Sequence, residues 1–227
     1  MRRPRVKICG LREEEHVAAA AGAGADYIGF VFAPSRRQVT PERGRQLVNV
    51  LQGCSNHPQV VGVFVNEPVS IVNDVADYCG LDAVQLSGDE DAAYALLVER
   101  PVICTVHVRS GMTASDVERV VCRTYDLRHS SGLVLLDTGT RGTFGGTGLT
   151  FDWDIAREVS LHHQVLVAGG LTPSNVGELI SYAHPFGVDV SSGVERDGRK
   201  DTSLIQAFLK GVRKVEEENG YADSNRT

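Results

Sequence analysis

No stretch of this 227-residue chain approaches the ~20 consecutive apolar residues that a bilayer-spanning helix requires, so the sequence offers no helical membrane span. The N-terminus, Met1-Arg2-Arg3-Pro4-Arg5, is basic, but Lys7 and then Gly10 interrupt the apolar core a secretory signal needs. Paired cysteine motifs are missing too. Cys9, Cys54, Cys79, Cys104 and Cys122 form no CxxC pair and are odd in number, which argues against a disulfide framework or a zinc site. A reducing, cytoplasmic setting fits best. None of the seven histidines is placed like a ligand set, and His162-His163 falls in an expected loop. Positive charge is in deficit: 23 Lys and Arg against 29 Asp and Glu give a formal charge of −6. That balance disfavours nucleic acid or an anionic membrane as partner. An anionic small molecule would have to be met by local positive charge and backbone dipoles. The expectation is one metal-free domain with no nucleic-acid and no membrane partner.

The composition that remains, 42% hydrophobic and 23% charged, is that of an ordinary globular protein. Short β-branched and apolar runs occur at residues 5–9, 27–32, 60–65, 83–86, 102–106, 133–136, 165–168 and 187–190. Their apolar positions are consecutive, as in parallel strands buried on both faces. Helical windows lie between them, opened by Thr40-Pro41-Glu42, Thr113-Ala114-Ser115-Asp116 and Thr172-Pro173-Ser174-Asn175. Eight strand–helix units at roughly 28 residues each predict a single-domain (β/α)₈ barrel over residues 1–218. The last helix is expected from about Thr202 to Glu218, followed by a polar, disordered tail over 219–227. An open doubly wound sheet uses the same alternation, but the first turn, Cys9-Gly10-Leu11-Arg12, lacks the GxGxxG pattern that would favour it.

Two strand ends are the most informative. The runs Val165-Leu166-Val167-Ala168 and Gly187-Val188-Asp189-Val190 stop in Gly169-Gly170 and in Ser191-Ser192-Gly193. Glycine lets a phosphate reach backbone N–H groups, and two such ends in succession suit the phosphate cup after strands 7 and 8 of a barrel. The chemistry must come from other strand ends facing the same mouth. Cys9 ends the first strand on the same face as Lys7, whose ammonium is expected to lower the thiol pKa. The other four cysteines read as small core hydrophobes. Asp137 ends Leu133-Val134-Leu135-Leu136 and precedes a glycine-rich loop over 139–148, expected to act as a mobile lid. A carboxyl in so apolar a mouth can be raised in pKa and act as a general acid. In the loop Pro34-Ser35-Arg36-Arg37, an arginine fork suits a substrate carboxylate, and a solvated basic turn is the alternative. Asp189 is a candidate orienting group.

Taken in order, Lys7-Ile8-Cys9-Gly10, Gly29-Phe30-Val31-Phe32, Val61-Gly62-Val63-Phe64-Val65-Asn66, Ala83-Val84-Gln85-Leu86, Leu135-Leu136-Asp137-Thr138, Gly145-Gly146-Thr147-Gly148 with Phe151-Asp152-Trp153, Gly169 to Val176 and Asp189 to Glu195 resemble the phosphoribosylanthranilate isomerase family of tryptophan biosynthesis. The resemblance covers nearly the whole chain. It implies an Amadori rearrangement of N-(5′-phosphoribosyl)anthranilate to the 1-deoxyribulose 5-phosphate aminoketose, with Cys9 as general base and Asp137 as general acid. It implies substrate contacts at Lys7, Arg37 and Asp189, and a phosphate held on Gly169, Gly170, Ser191, Ser192 and Gly193. No metal or organic cofactor is implied, because an iminium serves as the electron sink, and the expected assembly is a monomer or homodimer. Three departures stand out. The loop of Arg37 looks one residue short, which leaves Arg36 as an alternative fork. Ser87-Gly88 stands where the family commonly has His-Gly, and Arg12 where it often has Thr. The rival readings are an isomerase for a related phosphoribosyl aminoaldose of histidine biosynthesis and a catalytically silent phosphate-binding barrel. The first uses two aspartates and a second phosphate site, and no glycine-rich end follows Leu86 or Val106.

Overall fold

The computed structural model describes residues 3–126, 133–137 and 153–219. Eight parallel strands pair in chain order, and the last returns to the first, so the sheet closes. The alternation is β1 (Arg5–Cys9), α1 (Glu14–Gly22), β2 (Tyr27–Val31), α2 (Pro41–Val50), β3 (Gln59–Phe64), α3 (Val69–Cys79), β4 (Ala83–Leu86), α4 (Ala92–Leu96), β5 (Val102–His107), α5 (Ala114–Asp126), β6 (Leu133–Asp137), α6 (Trp153–Ser160), β7 (Val165–Val167), α7 (Val176–Ala183), β8 (Gly187–Val190) and α8 (Thr202–Asn219). A short hairpin, β9 (Glu195–Arg196) and β10 (Arg199–Lys200), is inserted between β8 and α8. The expected (β/α)₈ barrel is therefore the observed fold, with strand limits shifted by a residue at several ends. The helix α8 continues through Asn219, one residue into the segment read as tail; residues 220–227 and the glycine-rich loop over 139–148 lie outside the described residues.

Local chemistry explains where the helices begin. Thr40 caps α2 by accepting a hydrogen bond from Arg43 N at 3.2 Å, with Pro41 in the first turn. At α5, Thr113 Oγ1 accepts from Asp116 N at 3.2 Å while the Asp116 carboxylate accepts from Thr113 N at 3.0 Å, a reciprocal cap. These helices pack their apolar stripes on the outside of the barrel, against Ile8, Ile28, Phe30, Phe64, Leu136 and Val188 among others. The alternate strand residues point inward, where Val61, Ala83, Ile103, Leu135, Leu166 and Ala168 form a separate cluster backed by Tyr27, Leu133 and Phe186. The apolar plug fills the barrel below its mouth. The inward alternation above it continues in polar residues, and those make the site. Among the described residues, no helix is long and apolar enough to cross a membrane.

Candidate active site

The mouth is built upward from β1 and β8. Period-two alternation aims Lys7 and Cys9 inward together, and the register sets Lys7 beside Asp189. Lys7 Nζ donates to Asp189 Oδ1 at 2.9 Å, and neither group has significant solvent contact. Gly29, the residue opposite Cys9 on β2, makes the room: a methyl there would lie 2.8 Å from Cys9 Sγ and 3.1 Å from Lys7 Nζ. Burial opposes the Lys7 charge, but Asp189 and Cys9 outweigh it and hold the ammonium above its ordinary pKa. For Cys9 the balance goes the other way. Burial is the largest influence and pushes the thiol up; Lys7 pulls it down, Asp189 pushes it up again, and the net shift is upward. The sequence-based expectation of a lowered thiol is corrected here. The Lys7 charge does act on Cys9, but it is already neutralised by Asp189, and the thiol sits out of water.

The far wall comes from β4, β5 and β6. Gln85 Nε2 donates to Ser87 Oγ at 2.9 Å, Ser87 Oγ lies 2.9 Å from Thr105 Oγ1, and His107 Nε2 is 3.0 Å from the Ser87 carbonyl oxygen. The position read from the sequence as a lost imidazole is thus a serine inside a hydrogen-bonded chain, with His107 from the next strand in contact with its carbonyl. Asp137 ends β6 directly beside His107, on the same inward alternation as Leu133 and Leu135. Gln85, Thr105 and His107 were not singled out in the sequence. The signal available was the same alternation applied to the ends of β4 and β5. Among the described residues, no group of His, Cys, Asp or Glu is arranged to hold a metal ion.

The loops after β7 and β8 form the near rim. Gly169 and Gly170 turn with φ of +98° and +63°, left-handed values that suit glycine. Gly193 is glycine for a different reason: a methyl there would sit 1.7 Å from the Leu171 carbonyl oxygen, so the two strand ends touch through it. That contact brings the loops of Gly169-Gly170 and Ser191-Ser192-Gly193 side by side at the rim. Beside it, Arg37 folds over Gly10, where a methyl would lie 2.6 Å from Arg37 Cδ and 3.3 Å from Ser191 Oγ. Arg37 is 13% exposed and gives Nε and Nη2 to the two oxygens of Glu195, at 2.6 and 3.1 Å. Arg36 is 50% exposed and reaches Glu195 through Nη2 alone, at 2.7 Å. Both arginines are engaged by Glu195, Arg37 through two nitrogens and with the less exposed side chain.

Cys9, Lys7, Asp189 and the glycine rim surround one mouth, with Asp137 on the opposite wall. A sequence profile of the N-(5′-phosphoribosyl)anthranilate (PRA) isomerase family matches residues 6–211 of the chain. The chain belongs to that family. Among relatives, the N-(5′-phosphoribosyl)anthranilate isomerase of Dehalococcoides mccartyi is 43% identical over 222 residues, covering 98% of each chain. The crystal structure of the Thermotoga maritima phosphoribosyl anthranilate isomerase superposes with a TM-score of 0.80 at 38% identity, covering 93% of this chain and 99% of that one. A further solved isomerase, in complex with reduced 1-(o-carboxyphenylamino)-1-deoxyribulose 5-phosphate, gives a TM-score of 0.76 at 35% identity with the same coverage.

Proposed function

We propose that this chain is a cytoplasmic isomerase of tryptophan biosynthesis that converts N-(5′-phosphoribosyl)anthranilate to 1-(2-carboxyphenylamino)-1-deoxyribulose 5-phosphate. The observation that carries the reading is a cysteine and an aspartate on inward positions of β1 and β6, at the mouth of a barrel whose β7 and β8 loops form a glycine-lined cup. Asp137 gives its proton to the ribose ring oxygen. The C1′–O bond breaks as the anilino nitrogen lone pair forms a C1′=N iminium. Cys9 then removes the C2′ proton, and the C–H electrons form C1′=C2′ and neutralise the nitrogen. The enolamine tautomerises: the C2′ hydroxyl loses its proton and C1′ gains one, leaving the ketone. Hydrogen moves from C2′ to C1′ with no net redox change, so no cofactor is called for.

The raised Cys9 pKa fits this order of steps. A thiol that resists ionisation is a poor base in the free enzyme. The reactive form is the minority in which Cys9 is already thiolate while Asp137 still holds its proton, and the iminium cation formed beside that thiolate stabilises it. Lys7 and Asp189, charged but mutually neutral, present hydrogen-bonding groups to the opened sugar. The phosphate is received by the backbone N–H groups of Gly170, Ser192 and Gly193, on the rim where the two loops meet. Arg37 receives the anthranilate carboxylate.

The test is a fluorescence assay on purified protein, with substrate generated in situ from anthranilate and phosphoribosyl pyrophosphate. Turnover by the wild type is expected, with Cys9→Ala and Asp137→Asn each slower by at least about 10²-fold. A folded wild type that binds a product analogue without turnover would leave the silent barrel as the correct reading.

A further inference from the structure

One buried carboxylate in the rim has no part in the reaction just described. Glu195 has a side chain only 5% exposed, and it is surrounded by three cations. Its Oε1 accepts from Arg37 Nε at 2.6 Å and Lys200 Nζ at 3.1 Å; its Oε2 accepts from Arg36 Nη2 at 2.7 Å and Arg37 Nη2 at 3.1 Å. The local fold explains the juxtaposition. Asp197 and Gly198 have φ of +52° and +77°, the paired left-handed values of a tight hairpin turn. That turn pairs Glu195 directly across from Lys200. Lys200 is itself 4% exposed in its side chain and also donates to the Ser191 carbonyl at 2.7 Å. Burial lifts the Glu195 carboxyl, but the Arg37 hydrogen bond and the Lys200 charge outweigh it, so the group is held below its ordinary pKa.

We infer that Glu195 is a positioning residue that aims Arg37 at the carboxylate of the substrate, an inference that rests on the reading of Arg37 given above. A guanidinium has two edges able to form paired hydrogen bonds, Nε with one Nη and the two Nη together. Glu195 occupies the first edge. Arg37 Nη1 makes no hydrogen bond among the described residues, so the second edge is left to an incoming carboxylate. Three cations about one carboxylate leave two positive charges in surplus at the rim, which suits a substrate anionic at both ends. Lys200, which also donates to the Ser191 carbonyl, holds the far side of the same carboxylate.

The experiment is steady-state kinetics of the full chain for the wild type, Arg37→Ala, Glu195→Gln and the double variant. Inhibition by ribose 5-phosphate, which carries no aromatic carboxylate, is measured in parallel. Glu195→Gln is expected to raise KM for phosphoribosylanthranilate about tenfold with kcat and the ribose 5-phosphate Ki within about twofold, because the lost interaction serves binding alone. The double variant is expected to match Arg37→Ala. Equal rises in KM and Ki, or additive effects in the double variant, would overturn the inference and make Glu195 a residue of the fold only. If Arg37→Ala leaves KM unmoved, the carboxylate reading itself fails; if Arg37→Ala raises KM and Glu195→Gln does not, only the positioning role fails. Should Glu195→Gln not fold, Glu195→Asp decides: it keeps the charge facing Lys200 but withdraws the oxygens by one methylene. The same rise confined to KM is expected of it, and an unchanged KM overturns the inference.

Discussion

Cys9 is asked to be two things that conflict, a residue buried against the barrel plug and a base. Burial wins in the free protein, and the thiol titrates above its ordinary value of 9.0. That sets the shape of the pH profile. Where a carboxyl acid titrates below a thiol base, each rise in pH gains thiolate as fast as it loses acid, so kcat/KM is level between the two. Above the thiol pKa no more base is gained while acid continues to be lost, and the rate falls about tenfold per pH unit. The expected profile has its alkaline fall above pH 9, because the Cys9 shift is upward. A fall beginning below the ordinary thiol range would mean that Lys7 activates Cys9 before substrate arrives. At this scale the placement of Cys9, Asp137 and Asp189 toward the ends of β1, β6 and β8 was legible, because a strand end before a glycine or loop marks the mouth of a barrel. The net direction of the Cys9 shift was not legible. It depends on Asp189, 180 residues away along the chain, and on how much water reaches Sγ.

Among the elements, the β7 and β8 loops carry the sharpest contrast. Gly170 needs its left-handed backbone but has open space around it, whereas Gly193 is hemmed in by the Leu171 carbonyl. Gly170→Ala is expected to cost about 1–2 kcal/mol, the ordinary penalty for a side chain in that conformation. Gly193→Ala must separate two loops, an overpacking that costs about 3 kcal/mol or more. It should also weaken inhibition by inorganic phosphate, because it spreads the cup. Denaturant unfolding and a phosphate Ki on both variants would check this; equal penalties would mean that the loops do not touch as described. The helix caps at Thr40 and Thr113 and all eight strands were readable from short windows of sequence, because caps and buried strands are set by neighbours in the chain. The hairpin of Glu195 and Lys200 announces itself in Asp197-Gly198, a turn pair favoured between strands. The strands are only two residues long and offered no alternation to read.

For the whole molecule, the formal charge of −6 and the cationic rim are reconciled by distance. Arg36, Arg37 and Lys200 converge within hydrogen-bond reach of Glu195, so the field a substrate meets at the mouth is not the field of the protein as a whole. The chemistry proposed requires no metal, and exhaustive dialysis against EDTA is expected to leave turnover unchanged; activity lost on dialysis and restored by a divalent cation would contradict that. What the sequence determined by itself was the fold and which residues stand at its strand ends. Eight short apolar runs alternating with capped helices close into a barrel because parallel strands must be covered on both faces, and closure gives every strand end the same mouth. What only the tertiary structure decided was which groups share a hydrogen bond across that mouth. Arg37 and Glu195, 158 residues apart in the chain, meet because strand register and a two-residue turn bring them together, and Ser87, Thr105 and His107 form one chain because adjacent strands align them. Periodicity along a chain is a local property, whereas contact across a closed sheet depends on register, and register is set by the packing of the whole barrel.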